Sequence, residues 1–128
     1  MPPHVMVTPW VPQLPMIERA TVMVNHGGSN SVMECLSRGK PMLCIPFLYD
    51  QPETARRVAA SGMGLMLDNA QVSKDTCRTA LLSLLDPVGP AARVAELARE
   101  MGDGAAATCD LLERLSAGAP IPAVTASR

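Results

Sequence analysis

A chain of 128 residues is one domain's worth of protein, long enough to bury a core and too short for two domains. Eleven Lys and Arg against twelve Asp and Glu, interspersed to a formal charge of -1, leave no basic footprint for DNA, RNA or an anionic membrane surface. No stretch approaches the roughly 20 apolar residues of a membrane span, and no basic flank followed by an apolar run opens the chain as an export signal would. The four cysteines, Cys35, Cys44, Cys77 and Cys109, and the two histidines, His4 and His26, make no C-x-x-C pair and no zinc spacing. The expectation is a soluble, cytoplasmic protein with reduced cysteines, no metal and no nucleic-acid partner.

Short apolar runs alternate with longer segments of helical period, the pattern of β-α-β units and a parallel sheet. The first run, residues 5–8, predicts a strand, and residues 14–19 a short helix. Residues 22–25, 42–46 and 64–67 predict further strands, each continuously apolar, as expected where both sheet faces are covered. Between them residues 31–37 and 52–61 read as helices, stopped by Gly39 and Gly62. Beyond, residues 73–85 open with Ser73 as N-cap and Asp75 in the first turn. Helices at residues 90–101 and 105–115 follow, with Val94, Leu97 and Met101 on one face and Leu111, Leu112 and Leu115 on another. The domain is expected to end near residue 118, leaving a disordered tail at 119–128 with two prolines and no period.

Chemistry concentrates between residues 10 and 51. The run Asn25-His26-Gly27-Gly28-Ser29-Asn30-Ser31 ends a buried strand in a glycine turn and begins a helix. Glycines admit a close ligand, and the free N–H groups and positive dipole end of a helix favour an anion such as phosphate. His26, Asn30 and Ser31 add donors. The plainer alternative is a tight turn with Ser31 and Glu34 as an S-x-x-E capping box. Glu34, an acceptor only, suits paired hydroxyls such as a ribose diol, or serves that box. Trp10, the only tryptophan, offers a flat face on which a base can stack, or is an ordinary core residue. Asp50 and Gln51 suit sugar hydroxyls, or Asp50 caps the next helix ahead of Pro52 and Glu53.

Taken together, W-V-P-Q, H-G-G-S-N-S-x-x-E, G-K-P and D-Q resemble the donor-binding signature of family-1 nucleotide-sugar glycosyltransferases, the branch that includes plant natural-product and bacterial macrolide-type enzymes. The resemblance implies the C-terminal half of a GT-B donor domain, an α/β fold with a partial Rossmann-like parallel sheet and flanking helices. It implies that Trp10 stacks on uracil or thymine, that backbone at Val11 meets the base edge, and that Gln13 lies near the nucleoside. His26, Gly28, Asn30 and Ser31 fall around the diphosphate, Glu34 at the ribose, and Asp50 with Gln51 at the transferred sugar. The donor would be a UDP-sugar or dTDP-sugar, Glu34 mildly favouring UDP, and no cofactor or metal is called for.

The chain also departs from the family's pattern. Asn25 stands where threonine commonly precedes the histidine, which affects strand-end hydrogen bonding. The interval from Trp10 to His26 is two residues shorter than in plant enzymes, and H-G-G-S replaces H-C-G-W, which points to a bacterial origin. The catalytic base and acceptor pocket belong, in this family, to an N-terminal domain that precedes such a region. The expectation is therefore a truncated, donor-binding fragment of an inverting hexosyltransferase, inactive alone, with an uncovered sheet edge and marginal stability. A noncatalytic donor-binding subunit of a split glycosyltransferase, paired with a separate acceptor chain, and a plain nucleotide-binding module remain open alternatives.

Overall fold

The computed structural model of the chain describes residues 2–102, so the helix expected at 105–115, the domain end near 118 and the tail at 119–128 lie outside the described residues. The elements are α1 (Gln13–Arg19), β1 (Met23–Asn25), α2 (Ser29–Ser37), β2 (Met42–Cys44), α3 (Gln51–Ala60), β3 (Gly64–Met66), a single 3-10 turn (Asn69–Gln71), α4 (Lys74–Leu84) and α5 (Pro90–Met101). The strands are parallel in the order β1-β2-β3, with Met23 opposite Met42 and Met42 opposite Gly64. Parallel neighbours require a crossover, which α2 and α3 supply. This is the β-α-β parallel-sheet architecture that the alternation of apolar runs and helical periods predicts, and it agrees with the Rossmann-like α/β fold that the resemblance implies.

The central strand sorts the core into two layers, because successive side chains of a strand point to opposite faces. Met42 and Cys44 join Ile17 of α1, Val32 and Cys35 of α2, Val58 of α3 and Val94 of α5 on one face. Leu43 joins Ala80 and Leu84 of α4 on the other, with Leu65 and Leu67 beside them. Every residue of β2 is buried, as its unbroken apolar run requires. Ile17 and Leu84 have no solvent-exposed surface, and burying a side chain of that size contributes about 1.5–3 kcal/mol.

Local signals act as expected at several ends. Ser73 caps α4, its Oγ accepting the Thr76 N–H at 3.1 Å. Gly39 and Gly62 follow α2 and α3 with positive φ.

Residues 5–8 do not form the expected strand. Val5, Met6 and Val7 are exposed, and the edge of β1 away from β2 has no strand beside it among the described residues. A strand exists only through ladder hydrogen bonds to a neighbour. The V-M-V run has the composition of a strand and, among these residues, no partner.

Candidate functional site

Three segments meet beyond the carboxyl ends of the strands, where α/β sheets bind ligands: the start of α1, the β1–α2 turn and the β2–α3 loop. At the turn, Asn25 Oδ1 accepts the Gly27 N–H at 2.7 Å and the Cys44 thiol at 3.7 Å. The side chain thus closes the strand end with an Asx turn, the kind of role expected of Asn25 at this position. Gly27 follows with φ +78, and a Cβ there would lie 3.1 Å from the Gln51 carbonyl oxygen and 3.3 Å from Ala55 Cβ. Any side chain is excluded both by the left-handed backbone and by α3. The start of α2 therefore presses directly on the start of α3.

Gly28 is the N-cap of α2, and no side chain caps the helix. The first carbonyl in the ladder, that of Gly28, takes the Val32 N–H at 3.0 Å. The N–H groups of Ser29, Asn30 and Ser31 precede that ladder and have no intrahelical acceptor, the arrangement that suits an anion. The exposed His26 ring folds over the same place, since a Cβ on Gly28 would lie 2.6 Å from His26 Nε2.

The capping box offered by Ser31 and Glu34 is not formed, because α2 starts at Ser29 and carries both residues inside the helix. Glu34 lies one turn deeper than the sequence suggests. Its partner is Gln13 at the start of α1, whose Nε2 donates to Glu34 Oε2 at 2.6 Å and to Ser31 Oγ at 3.2 Å. The capping alternative for Asp50 fails as well: the residue precedes α3 with φ -77 and ψ -12, and its carboxylate makes no cap hydrogen bond. Gln51 Oε1 accepts the N–H groups of Phe47 and Leu48, each at 3.0 Å.

These residues enclose a cleft of about 450 Å³ lined on one side by Gln13, His26, Gly28, Asn30, Ser31 and Glu34 and on the other by Asp50 and Gln51. Eight of the ten residues singled out from the sequence thus share one cavity. Ser29 lines it too; its place inside the H-G-G-S-N-S run is the signal that would have found it. Val11 lines an adjoining cavity of about 310 Å³ that shares Gln13, His26 and Ser31 with the cleft. Trp10 lines neither and is 75% exposed, which rules out a core tryptophan. Its backbone is held by Thr8, whose hydroxyl donates to the Trp10 carbonyl at 2.9 Å.

Behind the cleft, burial pushes the Cys35 and Cys44 thiols up to about 11, with the Glu34 carboxylate adding to the effect at Cys35 and Cys35 itself adding at Cys44. Neutral at ordinary pH, they act as small core residues. Among the described residues no cluster of three or more His, Cys, Asp or Glu could hold a metal ion, and no helix is long and apolar enough to cross a membrane.

A parallel sheet whose strand ends carry a polar cleft over an uncapped helix start is a Rossmann-like unit, its cleft placed where sheets of this kind bind ligands. Residues 2–98 match the model of a family described as UDP-glucoronosyl and UDP-glucosyl transferase, and the chain belongs to that family of glycosyltransferases. The NDP-glycosyltransferase YjiC of Bacillus subtilis (strain 168) is 32% identical over 97 residues, which are 76% of this chain and 25% of the relative. Among solved structures, the glycotransferase of kitacinnamycin is similar with a TM-score of 0.80 and 39% identity, over 89% of this chain and 30% of that one. The spinosyn rhamnosyltransferase SpnG complexed with thymidine diphosphate is similar with a TM-score of 0.69 and 29% identity, over 80% and 29% respectively. The GT-B resemblance stands, and the chain spans about a quarter to a third of the length of these relatives.

Proposed function

We propose that the chain supplies the donor-binding face of an inverting glycosyltransferase that moves a hexose from a nucleoside-diphosphate sugar to an acceptor hydroxyl. The observation that carries this reading is the convergence of Gln13, His26, Asn30, Glu34 and Asp50 on one cleft at the uncapped start of α2. The diphosphate lies on the N–H groups of Ser29, Asn30 and Ser31, with His26 above it. The ribose diol meets Glu34, which Gln13 already orients, and the sugar reaches Asp50 and Gln51. The free face of Trp10 receives the base, beside the cavity that Val11 lines.

In this reaction a base deprotonates the acceptor, its oxygen attacks the anomeric carbon, and the nucleoside diphosphate leaves with inversion. Helix-start N–H groups and His26 stabilise the charge that develops on the diphosphate, which is electrostatic catalysis without a bound metal. His26 sits among these anion donors and is not the base. The base and acceptor pocket are assigned to a partner region, in keeping with relatives three to four times the matched length. A cytoplasmic location completes the reading, supported by the free, buried thiols of Cys35 and Cys44.

Calorimetric titration with UDP, dTDP, UDP-glucose and dTDP-glucose, repeated on Trp10→Ala, tests the site. Base stacking contributes about 1–3 kcal/mol, so Trp10→Ala is expected to weaken nucleotide binding about tenfold. No binding of any of the four ligands by the wild-type chain would sink the donor-site reading.

A further inference from the structure

Two unsatisfied features of the fold match each other. In a parallel ladder alternate residues of a strand face each neighbour, and in β1 it is Met23 and Asn25 that face β2. The Met23 N–H donates to the Pro41 carbonyl at 3.0 Å, and the Asn25 carbonyl accepts the Ile45 N–H at 2.9 Å. Val24 therefore turns its N–H and C=O toward the bare edge, and its side chain is 52% exposed. At the same strand, Asn25 Nδ2 is buried with no hydrogen-bond partner among the described residues. The second feature is the run Val5-Met6-Val7, which lies outside every helix and strand and leaves Met6 84% and Val7 73% exposed. An open edge is a template for a free strand, and every copy of the chain carries both.

The side chains are complementary too. In a strand Val5 and Val7 share one face and Met6 takes the other. β1 likewise puts Val24 on one face of the sheet and Met23 on the other, where Met23, Met16 and Ile17 line the cavity of about 310 Å³. A run laid along β1 with its valines beside Val24 sends Met6, a flexible side chain that fills irregular gaps, into that cavity. We propose that this edge is an interface between two copies of the chain, which exchange residues 5–7 about a two-fold axis, each run adding a strand to β1 of the other copy. The symmetry makes the exchange reciprocal, so both edges and both runs are used at once and assembly stops at two.

The surface available is enough for such a pair. Six side chains change environment in each copy, Val5, Met6, Val7, Val11, Met16 and Val24, and they are between 38% and 84% exposed. Together they amount to roughly 300 Å² of apolar surface per copy. That matches the apolar part of the smallest specific interfaces, which bury about 600 Å² per partner. A formal charge of -1 sets no electrostatic barrier between copies. The expected dimer is weak, with a dissociation constant in the micromolar range, and Trp10 stays outside it.

Sedimentation equilibrium of the full chain across a micromolar concentration series is expected to show reversible monomer and dimer. Of two adjacent strand residues, one points its N–H at the neighbouring strand, so Met6→Pro and Val7→Pro are made separately. At least one is expected to raise the dissociation constant about tenfold or more, the scale of a lost hydrogen bond and its packing. Both positions lie outside the helices and strands, so far-ultraviolet circular dichroism should not change. Amide exchange distinguishes pairing between copies from pairing within one. The Val24 amide is expected to exchange freely in dilute protein and about tenfold or more slower once dimer predominates. A monomer at every concentration, or a dimer indifferent to both proline variants, would overturn the proposal. So would Val24 protection independent of concentration, because the edge would then be covered within a single copy.

Discussion

Alanine at each of the adjacent glycines Gly27 and Gly28 is expected to separate folding from binding. At Gly27 the backbone has φ +78, and a new methyl group would lie 3.1 Å from the Gln51 carbonyl oxygen and 3.3 Å from Ala55 Cβ, atoms of a packed helix that cannot move aside. Left-handed backbone alone costs about 1–2 kcal/mol, and the contact brings the loss to about 2–3 kcal/mol. For a domain of this size the thermal midpoint then falls by roughly 10–15 °C. At Gly28, φ -65 and ψ 139 are comfortable for alanine, and the obstruction is the end of an exposed ring, His26 Nε2 at 2.6 Å. That ring can swing away, so the midpoint should move by a few degrees at most. Binding reverses the order. A methyl group over the helix start, with the imidazole displaced, removes the equivalent of one hydrogen bond to a charged group, about 1.5–3 kcal/mol, or tenfold or more in UDP affinity. Scanning calorimetry and titration with UDP measure the two effects. Equal thermal losses in the two variants, or UDP affinity in Gly28→Ala within about twofold of wild type, would refute an anion site at this turn.

Glu34→Ala is expected to weaken UDP about tenfold and dTDP less, since deoxyribose lacks one hydroxyl; an equal loss for both would argue against a diol contact. Burial raises the Cys35 and Cys44 thiols from 9.0 to about 11, so the stability carried by their neutral forms is intact below 9 and is lost as pH rises through 11. The thermal midpoint of wild type should therefore fall more steeply over that window than that of Cys35→Ala or Cys44→Ala, and parallel slopes would contradict the shift. Leu84→Ala, at a side chain with no exposed surface, should cost about 2–5 kcal/mol in chemical denaturation; a loss below about 1 kcal/mol would show that α4 is not anchored to the sheet.

The parallel sheet was legible because β1, β2 and β3 lie in short, largely apolar runs between helical periods, and period is a local property; only β2 is buried throughout, while Val24 at the middle of β1 is 52% exposed. Residues 5–8 show the limit: their composition is that of a strand, but a strand needs a neighbour, and pairing is not local. The Ser31–Glu34 capping box failed for a related reason. S-x-x-E spacing marks a helix start only if the helix begins there, and the Asx turn of Asn25 lets α2 begin at Ser29 instead. Once that start moves, Glu34 is freed from capping and Gln13, 21 residues away in sequence, becomes its partner. The hold of Gln51 on Phe47 and Leu48 was likewise out of reach, since D-Q reads as a polar pair whatever its oxygen accepts. Each residue alone had a credible structural role, and it was the joint spacing of the motifs that singled out residues which the structure brings to one cleft.

The absent side chain at Gly27 has a mechanical consequence. With its backbone against the Gln51 carbonyl and Ala55, the lip that would grip phosphate and the lip that would grip sugar are braced against each other, with no compliant layer between. Such a pair works as a fixed gauge. On the proposed donor reading, a nucleotide sugar whose pyrophosphate-to-sugar span differs would not be accommodated by sliding one lip along the other, and selection by length would be built into the backbone before any side chain discriminates among hydroxyls.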